Sequence, residues 1–73
     1  MDKKTVLLAT LIKDKYISMF GEIKTEDVEM ADQVSLDLAS KFSWNMSRAR
    51  ANIEIFSRQL WSRLRSKKTE GPL

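Results

Sequence analysis

All five arginines of the chain, Arg48, Arg50, Arg58, Arg63 and Arg65, fall close together in its second half, with Lys41, Ser47 and Asn52 before or among them. A guanidinium is a planar fork of donors. It meets phosphate oxygens, or the O6 and N7 of guanine, two at a time, and an asparagine amide pairs similarly with adenine. Such chemistry is noncovalent: it orders a polyanion without breaking a bond.

Side chains for covalent chemistry are scarce. The sequence has no cysteine and no histidine, so thiolate nucleophiles, imidazole bases, disulfides and Cys/His metal sites are excluded. Its two glycines, Gly21 and Gly71, make no phosphate-cradling loop. A serine–lysine or carboxylate-only centre is the catalytic chemistry left, and a chain of 73 residues has little room for a pocket that buries a substrate. A binding protein is expected rather than an enzyme, with no metal and no cofactor.

The net charge of +3 conceals a segregation. Residues 21–37 hold six acidic side chains against one lysine, and residues 38–68 hold eight basic side chains against one glutamate. Asymmetry of this kind is a stronger partner signal than net charge alone.

The elements that must position these groups are helices. Leu8, Ile12, Tyr16, Met19 and Phe20 recur at helical spacing and predict a helix over about residues 3–20, ended by Gly21. Thr25 is a suitable N-cap for a second helix over about 26–42. Val28, Ala31, Val34, Ser35, Leu38, Ala39 and Phe42 would face inward, with Glu26, Asp27 and Glu29 at its positive end. Met46, Ala49, Ile53, Phe56, Leu60 and Leu64 predict a third helix over about 46–66. Trp44 is expected to pack over the turn before it, and Trp61 beside its apolar stripe. The expected fold is an all-α, three-helix single domain over residues 1–68, with 69–73 a flexible tail.

Helices 2 and 3 carry a helix-turn-helix-like order: a supporting helix with Leu38 and Ala39 near its end, a short turn, then a basic helix with Ala49 and Ile53 inward. In this register Ser47, Arg48, Arg50 and Asn52 occupy the early part of the recognition helix. Lys41, Arg58, Arg63 and Arg65 are the further DNA contacts. The turn departs from the pattern in placing Ser43 where a glycine is usual.

A chain this short buries only about 60% of the surface its unfolded form exposes. With disulfides and Cys/His metal sites excluded, pairing of two copies is the remaining way to add burial, and a homodimer is expected. Leu7, Leu11 and Ile17 lie off the main stripe of helix 1 and are the candidate dimer contacts. The functional expectation is a DNA-binding regulator of double-stranded DNA. The alternative is an inhibitor or adaptor that docks on a larger protein through helix 1 and acidic helix 2. Interfacial membrane binding by helix 3 ranks third. The run Val6–Ile12 is broken by Lys13-Asp14-Lys15 and is too short for a signal or a span, so a cytoplasmic protein without membrane attachment is expected.

Overall fold

A computed structural model describes residues 2–69, with side chains through residue 66. It contains α1 (Lys3–Phe20), α2 (Val28–Phe42), α3 (Met46–Ala51) and α4 (Ile53–Thr69), with a 3-10 turn at Thr25–Asp27 leading into α2. Among the described residues there is no strand. Over the described residues the fold is all-helical, as expected, but with four helices rather than three. α4 runs through Thr69, where the flexible tail was expected to begin; residues 70–73 of that tail lie outside the described residues.

α1 is the central element. Asp2 caps its start by accepting the Lys4 N–H at 3.1 Å. Its end is set by Gly21, whose φ of 97° and ψ of −179° suit only glycine. Thr5, Leu8, Ala9 and Ile12 form its buried face, which packs on both α2 and α4, while those two helices meet each other more sparingly. Tyr16 and Met19 are half-buried. Phe20 remains more open and completes the packing by stacking on Trp61, ring centroids 5.6 Å apart.

The start of α2 differs from expectation. Thr25 opens a 3-10 turn closed by the Asp27 N–H donating to the Lys24 carbonyl at 2.8 Å, and α2 begins at Val28 without a side-chain cap. Ala31, Val34, Ser35, Leu38 and Ala39 are buried as the periodicity required, whereas Val28 and Phe42, at the two ends, stay largely open. Lys13 and Asp32, 2.8 Å apart, tie α1 to α2.

The expected third helix is divided at Asn52, whose φ of −109° and ψ of 18° leave the helical region. The Asn52 N–H donates to the Ala49 carbonyl at 3.1 Å, ending α3, and the Asn52 carbonyl accepts the Phe56 N–H at 3.1 Å, starting α4. Its side-chain amide turns back to the Arg48 carbonyl at 2.8 Å, satisfying one of the acceptors a helix end leaves unpaired. Ala49, Phe56, Leu60 and Leu64 are buried, and Met46 and Ile53 pack at the core's edge. Phe56 stacks on Phe42 at 4.7 Å.

Trp44 does not pack over the turn. The inward place is taken by Ser43, which is buried and shares a 3.0 Å hydroxyl–hydroxyl hydrogen bond with Thr5 of α1. The next side chain is thereby turned outward, and Trp44 is 76% exposed.

Candidate nucleic-acid interface

α3 is a short helix held by one inward residue. Ala49 is buried, and the methyl-sized contact lets the α3 backbone lie close to the bundle. Asn45 caps it by accepting the Arg48 N–H at 3.2 Å. At about 100° per residue, Ser47 and Ala51 point away from the core, and Arg48 and Arg50 flank them on opposite sides. All four are exposed. The result is a low ridge of small side chains with a guanidinium on each shoulder. No carboxylate of the described residues lies within ion-pair distance of Arg48 or Arg50. Asn52, at the junction, is half-buried, and one N–H of its amide donates to the Arg48 carbonyl, which holds the side chain against the end of α3.

The other basic candidates do not join this ridge. Lys41 sits on α2, 3.4 Å from Asp37, one turn earlier. Arg58 pairs with Glu54 at 3.2 Å, which also neutralises the acidic residue closest in sequence to α3. Arg65 lies over the Trp61 ring, 4.7 Å from its centroid, on the same flank of α4 as Arg58. Arg63 is on the other flank, in a groove with Leu38, Lys41, Gln59 and Ser62. Because the chain breaks at Asn52, Arg50 leaves the continuous flank with Arg58 and Arg65 that one unbroken helix would have formed. It lines a groove with Leu11, Asp14, Lys15 and Ile53 instead.

The candidate dimer residues also divide. Leu7 and Leu11 are about 40° apart on α1 and share a flank, Leu7 being half exposed and Leu11 partly covered. Ile17 projects about 80° from Leu7 and 120° from Leu11, on a flank with exposed Val6.

A feature that periodicity did not reveal lies beside α3. Phe42, Trp44, Arg48, Ala49, Ile55 and Phe56 surround an almost wholly apolar cleft of about 160 Å³. Three of its walls are large apolar side chains left substantially in solvent: Trp44, Ile55 at 52% and Phe42 at 38%. The signal was in the sequence as Ile55, an apolar residue off the α4 stripe.

No family model, curated protein or solved structure matches the chain. Among the described residues, no helix is long and apolar enough to cross a membrane.

Proposed function

We propose that the protein is a DNA-binding regulator, acting in the cytoplasm, that sets α3 against double-stranded DNA with α2 as the supporting helix of a helix-turn-helix. The observation that carries this reading is the α3 ridge: Ser47 and Ala51 allow close approach, and Arg48 and Arg50, unpaired with any described carboxylate, stand on its two shoulders. The three-residue turn 43–45 suits that order of helices, and buried Ala49 lets α3 lie close to the bundle, where it packs on α1 and α4 more than on α2. With α3 only six residues long, phosphate contacts dominate and base reading is confined to one or two positions. Two copies joined along the Leu7–Leu11 flank of α1 would bring two ridges together, with Arg50, which lines a groove with Leu11, at the edge of that contact.

The test is fluorescence anisotropy of a labelled random-sequence duplex, titrated at about 50 and 200 mM salt, where phosphate-driven binding falls steeply. Arg48→Ala and Arg50→Ala should each weaken binding without loss of helicity and flatten the salt slope by about one unit. Absence of binding at the lower salt removes the proposal. Sedimentation of the parent beside Leu11→Glu tests the pairing of copies, and a parent that stays monomeric at micromolar concentration removes that part.

A further inference from the structure

α1 packs on both α2 and α4, and those two helices meet each other along a sparer seam. At one end of this seam lies the apolar cleft of Phe42, Trp44, Ile55 and Phe56, with Arg48 on its wall. One turn farther along, from Phe42 back to Leu38 on α2 and from Phe56 on to Gln59 on α4, the seam carries a second groove of about 310 Å³, which holds Lys41 and Arg63 and shares no wall residue with the first. From Ile55 to Arg63 the two grooves together make a trough spanning about 12 Å along α4, about two helical turns. No carboxylate lines either part. Lys41 shares its charge with Asp37, and neither Arg48 nor Arg63 has a carboxylate partner among the described residues.

We infer that this trough receives an acidic amphipathic helix from another protein, an apolar side chain entering the Trp44–Ile55 cleft and carboxylates meeting Arg48 and Arg63. Helix-in-groove docking joins an apolar stripe to an apolar floor and uses charge at the rim to set orientation. Tryptophan and arginine side by side are also the residue types that most often concentrate binding energy at interfaces. Charge argues against a second copy as the occupant. The chain's own apolar flank at Leu7 and Leu11 carries Lys4 and Lys15 against one carboxylate, Asp14, a net positive edge that would face the arginines of the trough. The acidic patch at the start of α2, Glu26, Glu29 and Gln33 around Met30, has no aromatic or cluster of large apolar side chains to fill the cleft, Val28 being the one largely exposed apolar residue beside it. The surface is distinct from the α1 and α2 faces that the sequence suggested for a protein partner, and the inference does not rest on DNA binding.

The experiment is selection of a random peptide library, displayed on phage, against the full chain, followed by anisotropy titration of the enriched peptides. The expected peptides carry apolar residues at helical spacing with Asp or Glu on the flanking positions. Trp44→Ala and Ile55→Glu should each weaken them at least about tenfold, and Arg63→Glu by about threefold to tenfold, in line with anchor and rim contributions. Trp44 is so exposed that its alanine variant keeps the fold, and circular dichroism verifies this for Ile55→Glu. Arg50→Ala, which should weaken DNA binding, should leave peptide binding unchanged, so the two readings fail separately. Enrichment of basic or uncharged peptides, no enrichment, or binding that survives Trp44→Ala and Ile55→Glu overturns the inference. So does self-association of the parent that Ile55→Glu abolishes, which would make the occupant a second copy.

Discussion

The Ser57 hydroxyl donates to the main-chain carbonyl of Ile12, 3.0 Å away, across the buried seam of α1 and α4. The same hydroxyl lies 2.9 Å from the Ile53 carbonyl of its own helix, so one proton is shared between a local and a long-range acceptor. A residue this small, wholly buried, brings the two backbones close where Leu60 and Ile12 complete the core on either side.

Ser57→Ala is therefore expected to cost about 1 kcal/mol, the worth of one hydrogen bond whose acceptor keeps its helical partner. Ser57→Leu should cost about 1–3 kcal/mol because the added volume has to push α1 from α4. Urea midpoints read both. A leucine variant as stable as the parent would show the seam to be loosely packed.

The Phe42–Phe56 stack gives a second test. Phe56 is buried, and Phe56→Ala should cost about 3–5 kcal/mol, enough to threaten a domain of this size. Phe42→Ala should cost less, since more than a third of that side chain is in solvent. A double-mutant cycle between them should return a coupling of about 0.5–1.5 kcal/mol, and a value near zero would mean that the rings do not meet in solution.

Most of the helical framework was readable from periodicity. Leu8, Ile12, Val34, Leu38, Phe56, Leu60 and Leu64 repeat every three or four residues and are all buried. Asn52 was not legible as a break, because Ala49 and Ile53 on either side of it keep the four-residue spacing and the apolar stripe passes over the junction uninterrupted. The arginine cluster was visible as composition, but its division among three surfaces follows from that junction and from local pairs such as Glu54–Arg58. Trp44 points outward because Ser43 bonds to Thr5, a partner 38 positions away that no local pattern announces.

Gly21 supplies a third prediction. Its φ of 97° is one that a side chain strains, although no atom stands within 4 Å of where a Cβ would be. Gly21→Ala should lower stability by about 1–3 kcal/mol through backbone conformation alone. Thermal unfolding measures this. An unchanged midpoint would mean that α1 ends in another way.

Asn45→Ala removes the acceptor for the Arg48 N–H and should cost about 1 kcal/mol. Asn45→Asp, an equally good cap, should restore it. A difference between these two variants below about 0.3 kcal/mol in denaturant unfolding would show that the cap contributes nothing.

The break at Asn52 also sets how the protein opens. A helix of six residues is far below the length that sustains itself in water, and α3 is fastened to the bundle chiefly through Ala49 and the edge contact of Met46. It can detach as a unit while α1, α2 and α4 stay assembled, a sub-global opening that exposes little surface. In native-state hydrogen exchange, the amides of Ala49 and Arg50 should exchange with almost no dependence on added denaturant. Those of Ile12 and Leu60 should wait for complete unfolding. Whatever ligand α3 contacts must supply the free energy that holds it closed, so that ligand should slow exchange at Ala49 and Arg50 more than anywhere else in the chain.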